Sequence, residues 1–251
     1  MRPPIRTRWL SREPGPDADA YVFCLPYSGC GASMYRQWPR TQGPIEFCPI
    51  QLPGRENRLA EPAFDSYEDL AAALIPHLLP YLDRPFAFFG HCASALIGYE
   101  TSVQLLRAGL PLPARLFVSS QVAPHQGPHG RFLSMSEPEL ADELATLIVE
   151  MGGRPRPDVI ELAMGTLLSD IGANRRYRPA EPVPLPVPVT ALSWDADEEV
   201  AAGQMLGWQD CGQVEFHQLS GGHYRFVEAP EDLLAVLEAG LAEVIRPQSA
   251  Y

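Results

Sequence analysis

A chain of 251 residues with 46% hydrophobic content can bury a full core as one α/β domain, with length to spare for an inserted helical segment. A net charge of −12 argues against a nucleic-acid partner, and five cysteines without C-x-x-C spacing argue against a disulfide framework or a zinc site, which points to a reducing cytoplasm. The first ten residues are basic with no apolar run behind them, so they do not read as a secretory signal, and no later stretch is long enough to span a bilayer.

Residues up to about 20 are polar and Pro-rich and predict a frayed lead-in, with a short edge strand near residues 8–10. Residues 21–25, Y-V-F-C-L, read as a buried strand. They run into the small-residue loop P-Y-S-G-C-G-A-S at 26–33, and a helix opens over 34–38. Such a loop presents free backbone N–H groups above the sheet edge. It lacks the G-x-x-x-x-G-K spacing of a phosphate loop. Residues 46–52 are the next strand, followed by a turn carrying Arg55, Glu56 and Arg58, expected to be a solvated cluster with Arg55 pairing Glu56 or Asp65. Ser66 and Asp69 mark a helix start, and Leu70, Leu74, Ile75 and Leu78 give that helix one apolar face. His77, on the same helix, reads as a surface or capping histidine.

Residues 86–89 form a short unbroken apolar run, as expected of a strand buried on both faces. Gly90 ends it, and from Ala93 the apolar residues return with helical spacing (Ala93, Leu96, Ile97, Leu105). G-H-C-A-S at 90–94 therefore sits at a sharp strand-to-helix turn, the geometry of a nucleophile elbow. That turn strains its central residue and lifts the side chain above the sheet. The central residue here is Cys92, and Ser94 takes the place of the usual second glycine.

Residues 114–120 predict another parallel strand. From 122 to 182 the pattern is helical (137–151 and 158–173), broken by Pro-Gly-rich joints and without a strand. Connections this long are uncommon in a compact domain, so the segment is expected to be a helical lid over the C-terminal strand ends; the plainer alternative is a long crossover. Residues 187–192 resume the sheet and end in S-W-D-A-D at 193–197. Residues 214–219 are the last strand, followed by S-G-G-H-Y at 220–224, and 231–244 form a terminal amphipathic helix. Alternation of this kind makes a mainly parallel sheet covered by helices on both faces.

In α/β-hydrolase folds the chain order is nucleophile, acid, histidine, each on a loop at a strand end. Cys92, then Asp195 or Asp197, then His223 fall in that order. The loop after Ser119 offers no carboxylate, so the acid comes from the later strand; Asp197 is preferred and Asp195 is the fallback. Gly221 and Gly222 let the His223 loop fold back toward the elbow. His91, His125, His129 and His217 lack such support, and His91 is expected to pack beside the elbow. In this reading His223 accepts the thiol proton of Cys92 and Asp197 sets the imidazole tautomer. The backbone N–H groups of Ala93 and of Ser28, or alternatively Gly29, would hold the oxyanion, each worth roughly 3–4 kcal/mol.

The chain resembles the type II thioesterases of polyketide and nonribosomal-peptide assembly lines. Four motifs carry the resemblance over nearly the whole length: the 26–33 loop resembles F-P-H-A-G-G-x-A-S, Q-L-P-G-R-E at 51–56 is that family's segment of the same sequence, 90–94 is similar to G-H-S-M-G, and G-G-H-Y at 221–224 to G-G-H-F. The resemblance implies an α/β-hydrolase fold with a helical lid, acting on acyl or aminoacyl phosphopantetheine thioesters of carrier proteins. It implies no cofactor of its own and no metal, since the phosphopantetheine arrives on the carrier. It also implies a cytoplasmic monomer partnered by carrier-protein domains rather than nucleic acid or membrane. Arg36, Arg40, Arg55 and Arg58 become candidates for meeting the acidic carrier or the pantetheine phosphate, with solvated surface as the plainer reading of each. The departures are Tyr27 for His, Cys30 for Gly, Ser94 for Gly, and Cys92 for Ser. The last bears on the reaction itself. Moving an acyl group from pantetheine to a cysteine exchanges one thioester for another of similar energy, so transfer to a second thiol, an amine or a carbon nucleophile stands beside hydrolysis as the expected outcome.

Overall fold

The computed structural model describes residues 7–245. A seven-stranded sheet runs through it in the order β2-β3-β1-β4-β5-β6-β7. The strands are β1 (Ala20–Cys24), β2 (Thr41–Gln42), β3 (Ile45–Pro49), β4 (Phe86–His91), β5 (Arg115–Ser119), β6 (Leu185–Trp194) and β7 (Gly212–Leu219). All pairings are parallel except that of β2 with β3. β1, β3, β4 and β5 are buried at every position, as a parallel sheet covered on both faces requires. β2 and β7 are the edge strands, and β7 is mostly exposed. This is the predicted fold class. β2 was not foreseen; two residues carry no periodicity to read.

Among the described residues five α-helices complete the fold: α1 (Tyr67–Leu78), α2 (Ala93–Arg107), α3 (Glu137–Glu150), α4 (Pro157–Arg176) and α5 (Glu231–Ile245). Ser66 caps α1 by accepting a hydrogen bond from the Asp69 N–H, as the S-x-x-D pattern predicts. His77 is exposed and stacks on Trp9 with ring centroids 5.6 Å apart. The helix expected over 34–38 is a 3-10 segment, Ala32–Gln37. The hydrophobic residues divide into two clusters, one on each face of the sheet. Phe23, Phe88 and Leu96 belong to one, and Phe89, Cys92 and Phe226 to the other. Among the described residues no helix is long and apolar enough to cross a membrane.

Two expectations need correction. Residues 7–20 are not frayed. Trp9 and Leu10 are buried, Leu10 forms an isolated antiparallel bridge with Ile50, and the Arg58 guanidinium lies over the Trp9 ring at 4.5 Å. The aromatic ring gives this polar stretch an anchor that composition alone hides. Residues 1–6, including most of the basic N-terminus, lie outside the described residues. Arg55 and Arg58 are likewise not a solvated cluster, since both are 5% exposed. Arg58 pairs with Glu61 and donates to the Gln51 carbonyl. Arg55 pairs with Asp170 of α4, rather than with Glu56 or Asp65, and donates to the Cys30 carbonyl. Neither is free to meet a partner.

The segment 122–182 holds α3 and α4 between β5 and β6, with 3-10 turns at Pro124–Gln126 and Arg131–Ser134 and no strand. Asp170 of α4 accepts a hydrogen bond from the Gly29 N–H in the loop after β1, which ties the helical segment to the C-terminal side of the sheet.

The turn from β4 into α2 leaves no room for a side chain at Gly90: a Cβ there would lie 2.5 Å from the Ala95 nitrogen. Gly90→Ala should therefore destabilise the fold by about 1–3 kcal/mol, the range for overpacking a close-packed site, measured by urea unfolding; an unchanged midpoint would mean that the turn relaxes.

Candidate active site

Cys92 joins β4 to α2 with φ 56° and ψ −136°, a conformation that a residue bearing a Cβ adopts only under constraint. Its N–H donates to the Ser119 carbonyl at 2.8 Å, and its own carbonyl accepts from Ala95 N–H. Ser94 puts its hydroxyl to use: Oγ accepts from the His91 N–H at 3.0 Å and donates to the His91 carbonyl at 2.9 Å. A side chain thus braces the turn where a second glycine would merely fit. His91 packs as expected, fully buried and stacked on Phe226 at 4.0 Å, with Nδ1 2.8 Å from Ser119 Oγ.

The loops after β6 and β7 converge on this elbow. His223 Nδ1 lies 3.1 Å and 3.0 Å from the two Asp197 carboxylate oxygens. The Asp197 side chain is fully buried and also accepts from Ser120 Oγ at 2.6 Å and from the Glu199 N–H at 2.8 Å. Asp195, the fallback acid, is exposed and faces elsewhere. It accepts from Gly221 N–H and Ser220 Oγ, pinning the turn that carries His223. On the far side of the imidazole, Cys92 Sγ, a His223 ring nitrogen and a Glu199 carboxylate oxygen all lie within 4.8 Å of one another. Tyr27 Oη is 3.4 Å from His223 Nε2. Cys, His and Glu are also zinc-ligand types, and a metal ion held by this trio would occupy the sulfur.

Ala93 opens α2, and Ser28 lies in the loop after β1; both line one narrow pocket of about 20 Å³. The Gly29 N–H, the alternative to that of Ser28, is already given to Asp170 at 2.9 Å. A larger apolar pocket of about 300 Å³ opens between α3, α4 and the same loop, lined by Leu144, Ile148, Leu162 and Ala163 with Gly29 and Cys30.

Electrostatically the imidazole is the centre. Burial disfavours its charged form, but hydrogen bonding to Asp197 and to Cys92, with the charges of Cys92 and Glu199, pushes its pKa up to about 10. Burial would raise Asp197, yet the bonds from His223, Ser120 and the Glu199 N–H hold its carboxyl well below the usual carboxylate range. Burial likewise keeps Tyr27 a neutral phenol. Of the residues around His223, Ser120 and Glu199 were not foreseen. Ser120 holds a positive φ of 47° that nothing in a one-dimensional pattern announces. For Glu199 the only signal was the acidic pair Glu198-Glu199 directly after the preferred aspartate.

A seven-stranded, mostly parallel α/β sheet with a cysteine elbow after β4, an aspartate after β6 and a histidine after β7 defines an α/β-hydrolase-type protein. The thioesterase domain family matches residues 20–241, and the chain belongs to that family. Among relatives, linear gramicidin dehydrogenase LgrE of Brevibacillus parabrevis is 30% identical over 249 residues, covering 94% of this chain and 93% of LgrE. The RedJ thioesterase from the prodiginine biosynthetic pathway in Streptomyces coelicolor superposes with a TM-score of 0.79 at 30% identity, covering 96% of this chain and 97% of RedJ. BorB, the type II thioesterase from the borrelidin biosynthetic cluster, gives a TM-score of 0.77 at 28% identity, covering 95% and 98%.

The coupled His223–Asp197 pair makes stability depend on pH with a defined sign. A histidine raised from 6.5 to about 10 stabilises fully below pH 6.5 and loses that contribution as the pH rises toward 10. A depressed aspartate contributes fully above its ordinary value near 3.8 and loses its contribution as the pH falls below it. The Tm difference between the native chain and His223→Ala should therefore be widest between about pH 4 and 6.5 and narrow on both sides; a pH-independent difference would show that the ring only packs.

Proposed function

We propose that this chain cleaves acyl or aminoacyl groups from the phosphopantetheine arms of carrier proteins in polyketide or nonribosomal-peptide biosynthesis, through a covalent acyl-Cys92 intermediate. Supporting this reading are the thioesterase family, relatives named for biosynthetic pathways of this kind, and above all one observation: His223 lies between the Cys92 sulfur and the buried Asp197 carboxylate.

Cys92 attacks the thioester carbonyl as its thiolate, with its proton on His223. The Ala93 and Ser28 N–H groups take the oxyanion, the N-terminal end of α2 favouring negative charge there. The carbon–sulfur bond to pantetheine breaks, and the departing thiolate takes the proton from the imidazolium. Water then attacks acyl-Cys92 while His223 accepts its proton; the free acid leaves, and Cys92 is restored. Asp197 holds the imidazole orientation throughout. Segment 122–182 acts as a lid, and the apolar pocket beneath it takes the acyl chain. The enzyme uses no metal or cofactor of its own and works as a cytoplasmic monomer.

A cysteine at the elbow favours one second reading. An acyl-cysteine keeps the acyl group activated, so a carrier thiol, an amine or a carbon nucleophile can replace water in the second step. The two readings share every residue and differ in the acceptor.

Intact-protein mass spectrometry after mixing with an acyl-pantetheine thioester tests both. The native chain should gain one acyl mass and release free acid with turnover. Cys92→Ala should gain none, and His223→Ala should turn over at least roughly 1,000-fold more slowly, as expected when a member of a catalytic unit is removed. Undiminished release by Cys92→Ala would overturn the intermediate. Product trapped on an added thiol or amine acceptor selects transfer; free acid alone with acceptors present selects hydrolysis.

A further inference from the structure

Glu199 follows Asp197 by two residues, and its N–H donates to Asp197 Oδ1 at 2.8 Å. That bond folds the turn so that the Glu199 side chain, 5% exposed, enters the site. Its Oε1 lies 3.5 Å from His223 Nε2 and is buried without a hydrogen-bond partner. Arg131 forms an ion pair with the same oxygen through Nη1 at 3.6 Å, while its Nη2 donates a hydrogen bond to Glu143. Burial pushes the Glu199 carboxyl up, against the pull of His223 and Arg131.

A carboxylate withdrawn from water with incomplete pairing is costly. In the resting site its closest cationic neighbour is the His223 imidazolium. Once Cys92 is acylated, His223 has passed its proton to the leaving thiolate and must stay neutral to accept the next one. Glu199 then faces the acyl group without that cation. In an aminoacyl-Cys92 the α-nitrogen stands three bonds from the sulfur, which covalent geometry keeps within about 4.5 Å of it. A Glu199 oxygen lies within 4.8 Å of the same sulfur. An α-ammonium there would meet an oxygen that accepts no hydrogen bond and keeps only the Arg131 guanidinium, 3.6 Å away, as a counter-charge, and its charge would replace the one His223 gave up.

We propose that Glu199 is a specificity-determining residue that selects thioesters whose acyl group carries an α-ammonium. The inference rests on the acyl-Cys92 reading above and narrows its substrate class to aminoacyl groups. The same carboxylate disfavours acyl groups that bring a second carboxylate, since two buried like charges oppose each other.

The test uses the full chain with L-alanyl-, L-lactyl- and malonyl-pantetheine. Alanyl and lactyl groups differ only in ammonium against hydroxyl. A charge-assisted hydrogen bond predicts a preference of roughly 10- to 100-fold in kcat/KM for alanyl over lactyl, with malonyl slowest. In Glu199→Gln the alanyl-to-lactyl ratio should fall toward one. An unchanged ratio in that variant overturns the proposal, as do equal rates on alanyl and lactyl in the native chain. If Glu199→Gln folds poorly, the native malonyl arm decides: malonyl turned over as fast as lactyl also overturns it. Action on none of the three would instead sink the acyl-Cys92 reading, and the selectivity with it.

Discussion

The structure depends on a backbone conformation that Cys92 would not adopt alone. A non-glycine residue at positive φ costs on the order of 1–3 kcal/mol, and the surroundings must hold it there. They do so from several directions. β4 is buried at every residue, so the strand cannot shift to relieve the turn. Ser119 on the neighbouring strand accepts the Cys92 N–H. Ser94 closes a ring of hydrogen bonds with His91 across the bend, and the absence of a side chain at Gly90 makes room for the start of α2, whose Ala95 nitrogen would lie 2.5 Å from a Cβ there. The strain places a sulfur at the first turn of a helix, where unsatisfied N–H groups and the helix dipole favour negative charge.

Around that sulfur the protein gathers two buried carboxylates. Asp197 and Glu199 lie on opposite sides of one imidazole, and a positive charge on that ring offsets theirs in a buried site. This explains why His223 is pushed so far up while burial works in the opposite sense.

The strand-to-helix turn, the helices of segment 122–182 and the strands of a mainly parallel sheet were legible because each rests on local periodicity or on a short motif. Residues 86–94 changed from strand to helix spacing within a few positions, and the structure places the turn there. What escaped were contacts that join distant segments. Arg55 and Arg58 looked like solvated charges because their partners, Asp170 and the Trp9 ring, lie far away in sequence or in a stretch of unpromising composition. Asp197 was preferred over Asp195, which stayed as the fallback; the fold separates them by sending Asp195 to the His223 turn backbone and Asp197 to the imidazole. Glu199 was missed for the same reason: in a run of acidic residues, only the direction of the turn decides which carboxylate goes inside.

One of those long-range contacts joins the two halves of the candidate site. Asp170 of α4 accepts the Gly29 N–H and pairs with both terminal nitrogens of Arg55, while Arg55 also holds the Cys30 carbonyl. The loop that carries Ser28 is thereby fixed by a residue of the helical segment. Arg55 is buried and Asp170 nearly so, so separating them would leave a guanidinium without its counter-ion, a loss of about 3–5 kcal/mol in comparable pairs. A movement of α4 large enough to open the apolar pocket must break this pairing or carry the loop with it. In the second case, the width of that pocket and the placement of the Ser28 N–H change together.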